Sequence, residues 1–292
     1  MIFDLKELKP AERQYYLQHL VAPRPIGFVS TIDNEGNANL SPFSFFNMFS
    51  SNPPILVFSP ARRVRDNTTK HSLENILEVP EAVINIVTYD MVQQVSLASC
   101  DYPKGVNEFV KAGFTEEQAT LVRPPMVKES KAKMECRVLE VKTLGEDKGA
   151  GNLVICEVLR IHIADELLDE NKKIDQRKLQ LVARLGGDWY SVTNEASLFQ
   201  VEKPNTQLGI GFDNLPASIR NSHILTGNQL GQLANVHELP SMNAAFDDPH
   251  LKQIVQYYSL NPDEMEKEVH RYAAKLLDQG QVQEAWQVLL SV

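Results

Sequence analysis

The sequence predicts a mainly β fold of the α+β type, in which an antiparallel barrel is followed by a helical C-terminal extension. Short segments rich in β-branched residues recur through the N-terminal part of the 292-residue chain, and Pro, Gly, Asp or Asn bounds each of them. Helical segments interrupt these strands too rarely for a regular βαβ series. After Lys203-Pro204 the composition shifts to glycine and proline and then to helix-forming residues. We therefore expect a barrel domain over 1–203 and a loop-rich, then helical, extension over 204–292.

The barrel domain is expected to contain several short strands and a few short helices. Residues 25–32, a turn at Asp33-Asn34-Glu35-Gly36 and an extended stretch from 37 predict a hairpin. Further segments with strand composition are 55–59, 82–88, 133–144 and 153–163. A charged, glycine-rich turn over 145–151 separates the last two, which predicts that they pair antiparallel. Helices are expected at 13–20, from near Thr68 through Leu77, and at 91–98.

The extension is expected to be loop and short helix over 205–246, and helical from Asp247 onward. Asn261-Pro262-Asp263-Glu264 combines a capping residue with proline at the first helical position, which predicts a helix start. This helix should end at Gly280, and residues 282–290 should fold back on it as a helical hairpin. The hairpin resembles one tetratricopeptide unit, but a stable solenoid needs about three. A helical cap is therefore favoured over a peptide-binding repeat.

Charge and composition exclude several classes of function. The chain has 29 Lys and Arg against 38 Asp and Glu, a formal net charge of −9, which argues against a nucleic-acid partner. No membrane span or export signal is predicted, because no apolar run approaches about 18 residues. The spacing of the cysteines and histidines predicts neither a disulfide framework nor a metal site, and reduced thiols indicate a cytoplasmic protein. Motifs of Walker-type NTPases, Rossmann domains and serine hydrolases are absent.

One basic segment stands out in this acidic chain. Ser59-Pro60-Ala61-Arg62-Arg63-Val64-Arg65-Asp66-Asn67-Thr68-Thr69 follows an apolar strand and precedes an amphipathic helix. Clustered arginines can give forked, charge-assisted hydrogen bonds to a phosphate, and Asn67 or Thr68 at a helix start adds oriented donors. The segment predicts a mononucleotide-phosphate site. A solvated basic turn that merely caps a helix is the equal alternative.

A second segment combines aromatic rings with small hydroxyl side chains. Ser41-Pro42-Phe43-Ser44-Phe45-Phe46-Asn47-Met48-Phe49-Ser50-Ser51 matches neither a helix period nor a strand period, so we expect irregular backbone. Such a segment can line a flat ring, and a flavin needs apolar walls and backbone N–H donors. A core corner packed with phenylalanine is the alternative.

Several short motifs then occur in one order along the chain. They are Ala22-Pro23-Arg24-Pro25-Ile26-Gly27-Phe28-Val29-Ser30-Thr31, Asn39-Leu40-Ser41-Pro42-Phe43-Ser44-Phe45-Phe46-Asn47, Pro53-Pro54, Arg65-Asp66-Asn67-Thr68, and Arg184-Leu185-Gly186-Gly187 with Trp189-Tyr190. In these motifs, residues 15–200 resemble the flavin reductase-like family of FMN-binding split β-barrels. The resemblance implies a homodimer that binds FMN near the subunit interface, often with reduction of the flavin by NADH or NADPH.

The resemblance also implies roles for individual residues. The flavin ring and ribityl chain would contact Thr31, Ser41, Ser44, Phe45, Phe46 and Asn47. The phosphate would be held by Ser59, Arg62, Arg65, Asn67 and Thr68. The family's basic-Asp-Thr triplet reads Arg65-Asp66-Asn67 here, with threonine following, so Asn67 and Thr68 are both candidates. Members that reduce free flavin often have a Gly-Asp-His motif where this chain has Asn152-Leu153-Val154, which argues against turnover of free flavin.

Two functions follow from this interpretation. The first is an NAD(P)H:flavin oxidoreductase-like enzyme, whose FMN takes hydride and passes electrons to another flavin, oxygen or a small-molecule acceptor. The second is a non-catalytic FMN-binding protein, a carrier, sensor or assembly component acting through the C-terminal helices. The candidate catalytic side chains are His162 and Tyr190, and each has an ordinary structural alternative.

Overall fold

The computed structural model describes residues 1–204 and 207–291. The chain forms two compact units, unit 1 (Met1–Phe199) and unit 2 (Gln200–Val292). The strands of unit 1 are β1 (Arg24–Pro25), β2 (Gly27–Ile32), β3 (Ala38–Phe43), β4 (Phe46–Ser51), β5 (Pro54–Phe58), β6 (Glu81–Ile86), β7 (Glu116–Glu117), β8 (Met126–Val127), β9 (Ala132–Thr143), β10 (Asn152–Ile163), β11 (Val182–Arg184) and β12 (Tyr190–Val192). Its α-helices are α1 (Pro10–Leu20), α2 (His71–Glu78), α3 (Val92–Leu97), α4 (Glu108–Ala112) and α5 (Gln176–Leu179), with 3-10 turns at Tyr89–Met91, Asp165–Leu167 and Glu195–Ser197.

Unit 1 is built on a seven-stranded antiparallel sheet with the strand order β3-β2-β6-β9-β10-β5-β4. Strand β2 is buried along its whole length because both of its faces are covered. On one face Phe28 joins a cluster with Leu40 and Met91, and on the other Val29 joins a cluster with Phe58 and Ile84. The mixed α+β class with a large antiparallel sheet, and the helical C-terminal region, are as predicted.

The two hairpin pairings that the sequence predicts are present in the sheet. The expected hairpin is β2–β3, and Gly36 in its turn has a φ of +88°, a conformation that favours glycine. Strands β9 and β10 pair antiparallel over their length, with irregularities at 155/156 and 158/160. The short strands β1, β11 and β12 form a separate three-stranded sheet that the sequence does not predict.

The prediction of irregular backbone over 41–51 is wrong. Strand β3 continues through Phe43, and β4 begins at Phe46 and pairs with β5 at the edge of the sheet. A register shift between Met48 and Ser50 leaves the consecutive side chains of Met48 and Phe49 both exposed. This bulge removes the alternation that identifies a strand in sequence.

Two of the sequence motifs meet next to helix α1. The buried Arg24 guanidinium donates to the carbonyls of Val21 at 2.8 Å and Leu185 at 2.8 Å, so it ties the end of the helix to the Arg184-Leu185-Gly186-Gly187 motif. The His19 ring lies against Gly186, where an added Cβ would come within 2.1 Å of it. Both contacts are structural, since they join α1 to β1 and β11.

Unit 2 is helical. Its helices are α6 (Ala217–Arg220), α7 (Gly227–Ala234), α8 (Pro249–Tyr257), α9 (Pro262–Asp278) and α10 (Val282–Leu290), with a 3-10 turn at Phe212–Asn214. They enclose a core in which Leu233 and Trp286 are fully buried. The predicted cap is present, because the Asn261 side chain accepts the Glu264 N–H at 3.4 Å, and Gly280 with φ +76° follows the helix end. Within 1–204 and 207–291, no helix has the length and apolar character needed to cross a membrane.

A buried carboxylate fastens the 120–122 segment to the sheet. Glu135 on β9 is fully buried, and its carboxylate accepts hydrogen bonds from the backbone N–H groups of Thr120 at 3.0 Å and Val122 at 3.2 Å. His162 Nε2 lies 2.6 Å from the other carboxylate oxygen. Burial acts to raise the pKa of Glu135, but the hydrogen bonds from Thr120, His162 and the backbone outweigh it and lower the pKa to about 2. The ionised carboxylate is therefore part of the folded structure.

We expect Glu135→Gln to lower the free energy of unfolding by about 3 kcal/mol at pH 7, because hydrogen bonds to a charged group are worth about 1.5–3 kcal/mol each. The folded-state pKa lies below the ordinary value of 4.5, so this stabilisation is present above about pH 4.5 and is lost as the pH falls toward 2. Urea unfolding of both proteins at several pH values measures it. Glu140→Gln, at an exposed position of the same strand, is the control, and equal losses in the two variants would contradict the assignment.

Candidate functional site

The arginine turn, residues 59–69, is attached to the loop that joins the two longest strands. The Arg62 N–H donates to the Ala150 carbonyl at 2.8 Å, and the Gly149 N–H donates to the Arg62 carbonyl at 3.2 Å. The Asn152 N–H donates to Ser59 Oγ at 3.1 Å. The turn therefore has a fixed position relative to the β9–β10 hairpin.

Inside the turn, Arg62 and Asn67 hold the backbone in shape. The Arg62 guanidinium donates to Asn67 Oδ1 at 2.9 Å and to the Asn67 carbonyl at 2.7 Å. Asn67 has a φ of +63°, a left-handed conformation that asparagine tolerates better than most residues, and its amide donates to the Glu146 carbonyl at 3.0 Å. The donors of Arg62 are thus directed into the turn itself.

Arg63 and Arg65 line a cavity of about 370 Å³ on the surface of unit 1. Arg63 also bonds within the turn, where its Nη1 atom donates to Thr68 Oγ1 at 2.9 Å and to the Thr69 carbonyl. Its walls also include Thr68 from the turn and Asp101 and Tyr102 from the 99–107 loop. The Arg63 side chain is only 13% exposed, whereas that of Arg65 is 73% exposed. A smaller polar cleft adjoins this cavity and shares Arg63 and Asp101 with it, and Ser41 of β3 and Lys70 line the cleft.

Asp101 makes ion pairs with cations of both cavities. Its Oδ1 atom accepts from Arg63 Nε at 3.0 Å and from Lys70 Nζ at 3.0 Å, and its Oδ2 atom lies 3.8 Å from an Arg65 nitrogen. Burial acts to raise the pKa of Asp101, but the hydrogen bonds from Lys70 and Arg63 outweigh it and lower the pKa. Asp101 is therefore ionised at neutral pH.

The aromatic segment, residues 41–51, lies beside the arginine turn. Strand β5 leads directly into the turn, and Phe46 of β4 is the partner of Phe58 in β5. The Ser59 N–H donates to the Phe45 carbonyl at 2.8 Å. The two segments singled out from the sequence are therefore neighbours, and Ser41 and Arg63 share one cleft.

The predicted site residues differ in their surroundings. Ser41, Arg65 and Thr68 line the cavities, while Arg62, Asn67 and Ser59 bond within or beneath the turn. Ser44 and Phe46 are half-buried, and Phe45 and Asn47 are exposed. Thr31 is fully buried, and its hydroxyl accepts from the Asn75 amide at 3.2 Å.

The two candidate catalytic side chains line neither of these cavities. His162 on β10 is bonded to Glu135, as described above. The Tyr190 ring in β12 lies under the Arg184 guanidinium, with 4.5 Å between the guanidinium carbon and the ring centroid. The His162–Glu135 contact joins β10 to β9, and the Arg184–Tyr190 contact joins β11 to β12.

Sequence reasoning missed three charged groups of the site. Arg63 belongs to the basic segment, but only the fold of the turn shows that it faces the cavity while Arg62 does not. Lys70, at the N-terminus of α2, and Asp101, in the 99–107 loop, also line the cleft. No sequence signal identifies Asp101, because its partners lie more than thirty positions away along the chain.

The donor set fits a phosphate monoester next to an apolar ring. Two guanidinium groups and an ammonium group line these cavities together with the carboxylates of Asp66, Glu74, Asp101 and Glu108, and forked cationic donors are those that best match phosphate oxygens. The neighbouring aromatic segment supplies apolar side chains, as a flavin ring requires.

Residues 20–179 match the model of the flavin reductase like domain. The chain belongs to the flavin reductase-like family. At the level of the family it is a flavin-related oxidoreductase. The matched residues end before unit 2 begins.

Relatives match nearly their whole length to this chain. An uncharacterised protein of Aquifex aeolicus is 38% identical over 190 residues, which is 65% of this chain and 94% of that protein. The crystal structure of nitrilotriacetate monooxygenase component B from Bacillus cereus has a TM-score of 0.64 at 28% identity and covers 69% of this chain and 98% of that one. A protein provisionally assigned as a flavin reductase with a split barrel domain, from Shewanella frigidimarina, has a TM-score of 0.59 at 26% identity, with 70% and 99% coverage.

Proposed function

We propose that unit 1 binds FMN and that the protein is an NAD(P)H-dependent oxidoreductase of the flavin reductase type. The observation that carries this proposal is the position of the arginine turn beside the aromatic segment, of which Ser41 lines the cleft together with Arg63, while its phenylalanines line neither cavity. A phosphate-binding end and a ring-binding end are thereby adjacent. Three free thiols, Cys100, Cys136 and Cys156, support a reducing, cytoplasmic compartment.

The residues of the turn divide the work of binding. Arg63 and Arg65 provide charged donors for the phosphate, and Thr68 provides a hydroxyl. Arg62, Asn67 and Ser59 keep the turn in the shape that presents them. Phe45 and Phe46 provide apolar contacts for the ring. Bound FMN would supply the redox chemistry, taking hydride from NADH or NADPH and passing electrons to a small-molecule acceptor.

Two findings bear on turnover in opposite directions. The similar Bacillus cereus protein is one component of a monooxygenase, which supports electron transfer to an acceptor outside this chain. His162 and Tyr190 lie outside both cavities, which favours a second candidate function, an FMN carrier or sensor without turnover. The two functions differ in whether a nicotinamide reduces the bound flavin.

We also propose that the protein is a homodimer. Strand β4 is an edge of the seven-stranded sheet, and it exposes Met48 by 61% and Phe49 by 69%. An exposed edge strand with large apolar side chains is a surface that soluble proteins ordinarily cover. A second copy of the chain would cover it beside the aromatic segment.

Anaerobic mixing of the FMN-loaded protein with NADH or NADPH tests turnover. We expect rapid bleaching of the oxidised flavin absorbance with at least one of the two nicotinamides, because reduction removes the oxidised chromophore. Free FMN with the same nicotinamides, without protein, is the control. An oxidised spectrum that stays unchanged would favour the carrier or sensor.

The phosphate assignment predicts a ligand-specific loss of affinity. Arg63→Ala with Arg65→Ala should weaken FMN binding about 100-fold or more, since charged hydrogen bonds are worth about 1.5–3 kcal/mol each. Riboflavin, which lacks the phosphate, should bind both proteins alike in a fluorescence titration. Arg123→Ala with Arg177→Ala changes the net charge equally at exposed positions and should leave the FMN affinity unchanged. Equal weakening of FMN and riboflavin would reject the assignment.

The dimer proposal predicts a change of mass in solution. Met48→Asp with Phe49→Asp should convert the dimer to a monomer in light scattering after size exclusion, because two charges cannot be buried cheaply in an apolar interface. Val110→Asp, at another exposed apolar position, is the control. A wild-type protein that is already monomeric would refute the proposal.

A further inference from the structure

The cavity lined by Arg63 and Arg65 contains its own anion. Asp101 enters it from the 99–107 loop between α3 and α4 and contacts three cations, Arg63 and Lys70 at 3.0 Å and Arg65 at 3.8 Å. Its side chain is 38% exposed, so the carboxylate lies at the mouth of the cavity. The proposed function assigns Arg63 and Arg65 to the phosphate, and Lys70 lines the adjoining cleft.

Cationic and anionic side chains both line the two cavities. The cationic ones are Arg63, Arg65 and Lys70, and the anionic ones beside Asp101 are Asp66 and Glu74 in the larger cavity and Glu108 in the smaller cleft. Glu108 accepts the Leu40 N–H at 3.0 Å. Asp66 accepts from the Thr68 hydroxyl through Oδ1 at 2.7 Å, and its Oδ2 atom accepts from the Arg65 guanidinium at 3.3 Å. Glu74 accepts from the Thr69 hydroxyl at 2.6 Å. Asp101 is therefore the carboxylate that accepts from Arg63 and Lys70, whereas Arg65 donates to Asp66.

A phosphate monoester would compete for the same donors. It carries a charge of about −1.5 to −2 at pH 7, and the carboxylate carries less, so exchange favours the phosphate at the cations. Phosphate and an ionised Asp101 around the same guanidinium and ammonium groups would repel one another.

The loop that carries Asp101 has few other ties to the cavity wall. Its internal bonds are local, with Tyr102 N–H donating to the Cys100 carbonyl at 2.9 Å and Val106 N–H to the Pro103 carbonyl at 3.2 Å. Lys104 lies 3.9 Å from Glu74, with its side chain 56% exposed. The Asp101 ion pairs are thus the strongest link between this loop and the arginine turn.

We propose that Asp101 is a built-in counter-ion, which occupies donors of Arg63 and Lys70 in the ligand-free protein and is displaced from them by the phosphate of the ligand. The inference rests on the proposed function, because it assumes that a phosphate enters this cavity. Ligand binding then releases the 99–107 loop from the arginine turn. Asp101 lowers the affinity for phosphorylated flavin and has no effect on the phosphate-free form.

The test is a titration of the full-length apoprotein with FMN and with riboflavin. Asp101→Asn should tighten FMN binding about tenfold, because the carboxylate that competes for Arg63 and Lys70 loses its charge. Riboflavin affinity should not change. Asp101→Glu keeps the charge and should stay within about twofold of the wild type. Glu170→Gln, an exposed carboxylate elsewhere, should change neither affinity.

A second readout follows the loop itself. Amide hydrogen exchange over 99–107 should become faster in Asp101→Asn without ligand, and faster in the wild type on adding FMN but not riboflavin. Unchanged or weaker FMN binding in Asp101→Asn, or an equal loss in the Asn and Glu variants, would overturn the inference and leave the FMN site standing. A wild-type protein that binds FMN no better than riboflavin would overturn the phosphate site and this inference together.

Discussion

The hydrogen bonds between the arginine turn and the β9–β10 hairpin are the constraint on which the candidate site depends. Arg62 and Ser59 pair with Ala150 and Asn152, and the Asn152 amide adds a bond to the Pro60 carbonyl at 3.0 Å. Strands β9 and β10 are the longest of the sheet, so the turn rests on a rigid base. A charged cluster can recognise a ligand selectively only when its own backbone is held in this way.

The three arginines of the turn have different surroundings. Arg62 bonds to the turn, Arg63 is mostly shielded from solvent, and Arg65 extends into it. Salt screens an exposed charge strongly and a shielded one much less. In the proposed phosphate site, the contribution of Arg63 would therefore be the less sensitive to ionic strength, while Arg65 would contribute more to the initial electrostatic attraction of a charged ligand. Position in the turn, more than residue type, decides the role.

Local signals in the sequence are enough for much of the fold. The Asn261-Pro262 cap and Gly280 delimit α9, and the glycine-rich turn over 145–151 identifies the pairing of β9 with β10. Features that depend on distant contacts were not predicted. Strands β1, β11 and β12 are two or three residues long, which is too short for any periodicity, and the bulge in β4 conceals a strand whose edge position leaves its aromatic residues exposed.

In the candidate site, too, local sequence signals identify some residues, while others depend on contacts between distant parts of the chain. The basic and aromatic segments were recognised because each is a dense local cluster, and the structure makes them neighbours through β4 and β5. The different surroundings of Arg62, which bonds to Asn67, and Arg63, which lines the cavity, and the contact of Asp101 with Arg63 arise only in the folded chain. Neither can be derived from composition or spacing.

The attachment of the arginine turn to the 145–152 hairpin connection has a consequence for engineering. Transplanting residues 59–69 alone into another β scaffold would leave the Arg62 and Ser59 backbone partners behind, and the loop would relax in its new host. The arginine turn and residues 145–152 are joined by hydrogen bonds, so a graft must transfer the two segments together and preserve the register of β9 and β10.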